Sequence, residues 1–94
     1  MAVYVDNFYD TGVRYRGMKM CHMVADTRVE LLKMVDTIGV NRKWIQSKDT
    51  PREHFDICYS KRVLAVKAGA VEIHFKQMAE MTRIRTYEGR TQIY

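Results

Sequence analysis

The chain has 94 residues, of which 47% are hydrophobic and 29% are charged, and its formal net charge is +5. The length allows one small domain over residues 1–94 with a modest core, and the composition excludes a disordered chain. The positive charge favours an acidic partner such as nucleic acid, a nucleotide or an acidic protein face.

No apolar run approaches the roughly 18 residues that a membrane span needs, so no membrane partner is expected. The first residues lack the basic and apolar regions of an export signal. Cys21 and Cys58 do not have CxxC spacing and are interpreted as reduced thiols. We therefore predict a cytoplasmic protein.

The first third of the chain predicts two strands joined by a loop. Residues 2–6 are β-branched and aromatic, which is typical of a strand, and Asp6 ends it. The loop over 8–17 contains Arg14, Tyr15 and Arg16, a set suited either to stacking and phosphate contacts or to an ordinary exposed loop. Residues 18–24 alternate as a second strand, with His22 as either a core histidine or a proton carrier.

A helix is predicted next, followed by a short strand. Thr27 and Glu30 form a capping box, and Gly39 ends the apolar stripe that follows. Residues 43–46 are predicted to form a strand. Its Trp44, the only tryptophan, is interpreted as a core residue or as a stacking platform beside Lys43.

Residues 54–69 hold the main functional clue. His54 and Asp56 are separated by one residue, so in a strand they point to the same face. A second helix is predicted from Ser60 to about residue 68, with Lys61 and Arg62 in its first turn. The helix dipole opposes cations there, and a bound anion would reverse that opposition.

The remaining residues predict a strand over 70–75, a short helix over 76–81, and a last strand or tail over 83–87, with 76–94 peripheral to a core of about 2–75. The fold class is α/β, a small single-domain sandwich with a mixed or mostly parallel sheet and two main helices. Ligands collect at the carboxyl ends of strands in such sheets. This topology predicts convergence of the following residues: Asp6, His22, Asp26, Trp44, Gln46, His54, Asp56, Lys61 and Arg62.

Several motifs in order resemble one family between about residues 2 and 75. They are Val3-Tyr4-Val5-Asp6, Cys21-His22-Met23-Val24-Ala25-Asp26-Thr27, Trp44-Ile45-Gln46, His54-Phe55-Asp56 and Ser60-Lys61-Arg62. The family comprises small phage and bacterial proteins known only as a domain of unknown function. Asn7 and Phe55 replace the Asp and Tyr usual there. The resemblance implies a phage or prophage origin and no particular activity.

The first functional hypothesis is a binding module for a small phosphorylated ligand, a nucleotide or a nucleotide-derived signal. Its expected ligand-binding residues are Ser60, Lys61, Arg62, Trp44, Gln46, Lys43 and Asp6. Cations and backbone N–H groups would hold phosphate while Trp44 stacks on a base. A phage protein of this kind could sequester a host defence signal.

Two alternatives stay open. One is a small metal-assisted phosphodiester hydrolase or nuclease, with His54 or His22 as general base and Asp56 orienting the imidazole or binding metal. No cofactor is required by the sequence, although Mg²⁺ or Mn²⁺ would suit carboxylate and imidazole ligands drawn from Asp6, His22, Asp26, His54 and Asp56. The other is a nucleic-acid-binding accessory protein. A homo-oligomer is compatible with each hypothesis.

Overall fold

A computed structural model describes residues 2–88, which form one small α/β globule with five strands and three α-helices. The α/β fold class is confirmed. The elements are β1 (Val3–Val5), β2 (Arg14–Tyr15), β3 (Met18–Ala25), α1 (Arg28–Ile38), β4 (Phe55–Cys58), α2 (Tyr59–Lys67), β5 (Val71–Glu72) and α3 (Phe75–Glu88).

The sheet is organised on β3, its longest strand. β1, β2 and β4 all pair antiparallel with β3, and β5 pairs parallel with β1. The sheet is therefore mixed, as predicted, with more antiparallel than parallel pairing. Arg16 and Gly17 connect β2 to β3 with φ values of 50° and 77°. Positive φ at both central residues is the requirement of a type I′ hairpin turn.

Alternation along the strands separates an apolar core face from a polar face. Cys21 and Met23 of β3 are buried in one core with Phe55 and Ile57 of β4. The same core takes the apolar side chains of α1 and α2: Leu31, Met34, Val35, Ile38 and Ala65. His22 and Asp56 are one position out of step with these residues and consequently point to the opposite face.

The predicted first helix is confirmed, and the start of the second helix needs a correction. Thr27 Oγ1 accepts a hydrogen bond from the Glu30 N–H at 3.2 Å, and Gly39 ends α1 with φ of 76°. The N-cap of α2 is Cys58, so this helix begins at Tyr59, before the predicted start at Ser60. Ser60 instead lies inside the first turn, with its Oγ 3.2 Å from Cys58 Sγ.

Three predicted strands are also corrected. In the stretch 43–46, Lys43 and Trp44 belong to a 3-10 turn over Arg42–Trp44, because Asn41 Oδ1 accepts the Lys43 N–H at 2.9 Å and caps that turn. Gln46 forms only an isolated bridge with His54. The strand expected over 70–75 is limited to β5. The stretch 83–87 belongs to α3, which begins where Asn7 Oδ1 accepts the Phe75 N–H at 2.8 Å.

The third helix is longer than the predicted one and buries two of its side chains, Met78 and Arg85. The part of the predicted tail over 89–94 lies outside the described residues. Within residues 2–88, every helix is too short or too polar to cross a bilayer.

A buried ion pair ties the loop before β4 to the start of α1. The Glu53 side chain is fully buried and accepts hydrogen bonds from the Arg28 guanidinium, including one from Nε at 3.1 Å. Arg28 also pairs with Asp49, whose backbone N–H donates to Glu53 at 3.2 Å. Because Glu53 directly precedes His54, this pair fixes the position at which the His-x-Asp segment enters the sheet.

We predict that Arg28→Met lowers the free energy of unfolding clearly more than an exposed ion-pair deletion does, because the buried Glu53 carboxylate loses that cation. Arg42→Met is the matched control, since Arg42 pairs with Asp36 on the surface and both side chains are more than half exposed. The control should lower the free energy of unfolding little, because exposed ion pairs contribute little to stability. Urea denaturation measures both, and equal losses would contradict the structural role of the buried pair.

Candidate functional site

The site begins with the buried carboxylate of Asp6, at the end of β1. Oδ1 accepts the backbone N–H of His22 at 2.8 Å and that of Phe8 at 3.1 Å. Oδ2 lies 2.7 Å from His22 Nδ1. Asp6 itself is fully buried. Its carboxylate therefore ties β1, β3 and the turn after β1 to one point.

The contact with Asp6 also sets the chemistry of His22. A carboxylate oxygen accepts, so Nδ1 of His22 carries the proton and donates it. In the neutral imidazole, Nε2 then has a free lone pair. The ring of Phe8 packs against that of His22 with 4.8 Å between centroids, which restricts ring rotation. His22 thus presents one defined acceptor nitrogen on the polar face of the sheet.

Backbone contacts hold the His54 ring in a similar orientation, with Nδ1 bonded to an oxygen and Nε2 left toward the cluster. Its Nδ1 lies 2.6 Å from the carbonyl oxygen of Arg52, which can only accept. Its backbone pairs with that of Gln46, with N–H to O distances of 2.8 and 3.1 Å. Nε2 of His54 is therefore directed to the same region as Nε2 of His22, with 5.6 Å between the two ring centroids.

Asp56 completes the cluster because it is the cross-strand partner of His22 and the second residue after His54. Its Oδ1 lies 3.3 Å from His54 Nε2 and 3.9 Å from His22 Nε2. The His54 hydrogen bond, acting against burial, lowers the pKa of Asp56. Burial lowers the pKa of His54, but its bonds to Asp56 and the Arg52 carbonyl outweigh burial and raise it overall.

Three side chains of this cluster are close enough together to be candidate ligands of one metal ion. One ligand atom from each of His22, His54 and Asp56 lies within 4.8 Å of the others. Ligand atoms about 2.1 Å from one cation lie about 3.0–3.5 Å apart, so small side-chain movements would close the site. Each imidazole is also held through Nδ1 by an oxygen behind it, the outer-shell arrangement typical of metal-binding histidines.

The donor set indicates which cations fit. Two imidazoles and one carboxylate suit Mn²⁺, Fe²⁺ or Zn²⁺ better than Mg²⁺, which prefers oxygen ligands. Three protein ligands leave positions for water or substrate, as in catalytic rather than structural sites. Without a cation, the same atoms form a hydrogen-bonded pair in which His22 or His54 could take a proton.

A cavity of about 670 Å³ opens on one side of the cluster. Its wall carries Trp44, which is 59% exposed, and Tyr15, which is 55% exposed. Arg14 and Arg16 from the β2–β3 hairpin line the same wall. The other described lining residues are Phe8, Val13, Met20, Cys21, His22, Gln46 and Asp56.

A second cavity of about 680 Å³ lies on the other side, between the sheet and α3. Phe8 and His22 line both cavities, whereas Asp56 lines the first and His54 the second. The candidate metal centre is consequently at the junction of the two spaces. The second wall includes Arg52 and Arg83 together with apolar residues of α3.

The predicted cations of α2 are not part of this cluster. The Arg62 guanidinium is buried, where Nε donates to the Asp6 carbonyl at 2.8 Å and Nη1 donates to Glu72 at 3.0 Å. Lys61 Nζ lies at the end of α1, since a Cβ added to Gly39 would be 3.4 Å from it. The predicted convergence of Lys61 and Arg62 on one anion site is therefore not observed, because they serve different contacts.

Asp26 is also separated from the cluster. It follows β3 at the end opposite to Asp6, where Oδ2 accepts the Ala2 N–H at 2.7 Å and Oδ1 lies 3.7 Å from Arg85. Four strand positions separate it from His22, about 13 Å. The predicted convergence thus holds for the following residues only: Asp6, His22, Trp44, Gln46, His54 and Asp56. Lys43 packs on Trp44, with Nζ 4.9 Å from the ring.

The part of the site that depends on long-range packing was not predicted from the sequence. Phe8, which separates the cavities, and Phe75 of α3 were not singled out, and they lie 6.3 Å apart. Arg52 was not predicted either, although it precedes His54 by only two residues. It holds the His54 ring through its backbone carbonyl oxygen, and a backbone contact does not depend on the side chain that the sequence shows.

We predict that Asp6→Asn weakens Mn²⁺ binding about 10- to 100-fold. The new amide N–H₂ would face Nδ1 of His22, so the ring must carry its proton on Nε2 and loses its ligand atom. Isothermal titration measures the affinity, with thermal unfolding as a check of the fold. Asp10→Asn is the control, because Asp10 is exposed and bonds only to Asn7 among the side-chain contacts described. Equal affinities for both variants would contradict this role of Asp6.

One comparison agrees with the resemblance to a domain of unknown function. A family model described as "Protein of unknown function (DUF4031)" matches residues 3–85. Neither the curated proteins nor the solved structures include a match to the chain. Because the family model covers most of the sequence, the chain belongs to the DUF4031 family.

Proposed function

We propose that the protein is a metal-dependent hydrolase that cleaves a phosphodiester bond. The main support is that His22, His54 and Asp56 come together where two cavities meet. Each of the two imidazoles is held by a hydrogen bond at Nδ1. This function was an alternative at the level of sequence. We favour hydrolysis over simple binding because an anion can be held without two oriented imidazoles and a carboxylate.

The proposed chemistry uses water at an open coordination position. His22, His54 and Asp56 would hold a divalent cation, which would supply the activation of that water by lowering its pKa. The water oxygen forms a bond to phosphorus while the bond from phosphorus to the leaving oxygen breaks. The electron pair of the broken bond stays on the leaving oxygen, and the proton from water ends there or in solvent.

Arginines near the cluster support an anionic substrate. Arg14 and Arg16 line one cavity, and Arg52 lines the other. Guanidinium groups bind phosphate oxygens with charge-assisted, often bidentate hydrogen bonds. They also stabilise the negative charge that develops as phosphorus is attacked. Among the described residues that line the two cavities, Asp56 is the only acidic one, so a phosphate meets little repulsion once a cation is bound.

We predict that the Mn²⁺-loaded protein releases nitrophenolate from bis(4-nitrophenyl) phosphate and that chelation by EDTA abolishes this release. His54→Ala and Asp56→Asn should each reduce kcat at least about 100-fold, because each removes a ligand of the cation that activates water. The absorbance of nitrophenolate measures the rate.

His74→Ala is the matched control, because His74 is the remaining histidine of the chain and belongs to α3's start rather than to the cluster. It should retain the parent rate within about twofold, as expected of surface changes away from a site. Activity that survives both EDTA and His54→Ala would overturn the proposed metal centre. Activity that survives EDTA but not His54→Ala would instead support metal-free general base catalysis.

Capture of a phosphorylated nucleotide without hydrolysis is the second candidate. Exposed Trp44 and Tyr15 beside Arg14 and Arg16 favour it, since they combine stacking surfaces with cations. A phage protein with this activity would sequester a host signal. Native mass spectrometry of protein mixed with a nucleotide panel distinguishes the candidates, because capture returns the intact ligand after denaturation whereas hydrolysis returns products.

A further inference from the structure

The position of the candidate metal centre between two cavities restricts the class of substrate. Its ligands divide between the two walls, with Asp56 in the first, His54 in the second and His22 in both. A phosphate at this junction has open space on two sides. A phosphomonoester would fill one of these spaces and leave the other empty.

Each cavity repeats the same combination of surfaces. The first offers Trp44 and Tyr15 with Arg14 and Arg16, and the second offers Phe75 with Arg52 and Arg83. Aromatic side chains stack on nucleobases in a manner tolerant of sequence, and arginine contributes phosphate and cation–π contacts. Volumes of about 670 and 680 Å³ each fall within the range of small-molecule sites.

The arginines of the first cavity make contacts with neighbouring groups of the β2–β3 hairpin and the turn before it. Arg16 adopts the left-handed conformation, with φ of 50°, at the tip of the β2–β3 hairpin. Few residues other than glycine adopt this conformation. Arg16 stacks over the ring of Tyr15 at 5.4 Å, and Nη1 of Arg14 donates to the carbonyls of Tyr9 and Val13 at 2.8 and 3.0 Å. Both arginines are exposed, and these contacts favour the orientation in which they line the wall.

From the similar lining of the two cavities we infer that the substrate is a dinucleotide unit. Its internal phosphodiester would lie at His22, His54 and Asp56, with one nucleoside in each cavity. This inference rests on the proposed function and adds the substrate class. The same chemistry occurs in a free dinucleotide and in two neighbouring residues of a single strand. A strand of about ten nucleotides used as competitor separates these two sources.

Binding can be measured apart from cleavage because Trp44 is the only tryptophan. Its fluorescence is titrated in Mn²⁺ with adenosine monophosphate and with a 5′-phosphorylated adenine dinucleotide whose internal linkage is a slowly cleaved phosphorothioate. The dinucleotide should bind at least about tenfold more tightly, because a second base stacks in the second cavity.

Variants in the second cavity give the sharper test. Arg52 and Arg83 are both exposed, and neither is on the wall that holds Trp44. Arg52→Ala and Arg83→Ala should each weaken dinucleotide binding about fivefold to tenfold and change monophosphate binding by less than about twofold. Lys48→Ala, an exposed cation of the same loop that is not on either wall, should change neither affinity.

Failure of this inference is distinguishable from failure of the proposed function. Equal affinities for the two nucleotides, no binding of either, or equal effects of Arg52→Ala on both would overturn the dinucleotide inference. Tight dinucleotide binding without cleavage of the unmodified linkage in Mn²⁺ would support the inference and overturn hydrolysis. Hydrolysis of bis(4-nitrophenyl) phosphate without a preference for the dinucleotide would support the proposed function and overturn the dinucleotide inference.

Discussion

The arrangement of the site depends on the buried carboxylate of Asp6. A carboxylate taken out of water is costly unless its oxygens are satisfied, and here two backbone N–H groups and one imidazole N–H satisfy them. The same contacts position Phe8 and set the tautomer of His22. One group thereby joins β1 to β3 and leaves Nε2 of His22 on the side of the ring that is nearest to Asp56. Asparagine has a similar shape and could still accept the two backbone hydrogen bonds. It could not keep the proton of the His22 ring on Nδ1.

Arg62 shows how a local charge pattern can be misread. Two cations at a helix start predicted an anion site, because the helix dipole offers them no favourable interaction. The structure supplies another reason for Arg62. It donates to the backbone carbonyl of Asp6 from inside the fold, 56 positions away in sequence, and packs over Tyr9 at 5.5 Å. Its charge is balanced by Glu72. The sequence predicted a strand at Glu72 but no role for its side chain.

Local patterns predicted those features whose causes are themselves local. The capping box of α1, the alternation of β3 and the shared face of His54 and Asp56 all depend on residues within four positions of each other. The register that places His22 opposite Asp56 is a long-range pairing, and the burial of Glu53 against Arg28 spans 25 positions. Neither has a local pattern. The strand predicted at Trp44 failed because the Asn41 cap stabilises a turn there, a competing local choice.

Buried charges are expensive in a domain this small, so their placement is informative. Among residues 2–88, the fully or nearly buried charged residues are Asp6, Glu53, Arg62 and Arg85. Three of them support the cluster: Asp6 orients His22, Glu53 anchors the loop that delivers His54, and Arg62 holds the Asp6 backbone. Replacing such groups by apolar residues is often neutral or stabilising, so stability alone does not explain their presence. Their common effect is to keep two imidazole nitrogens and one carboxylate facing each other before a ligand arrives, which is what a preorganised centre requires.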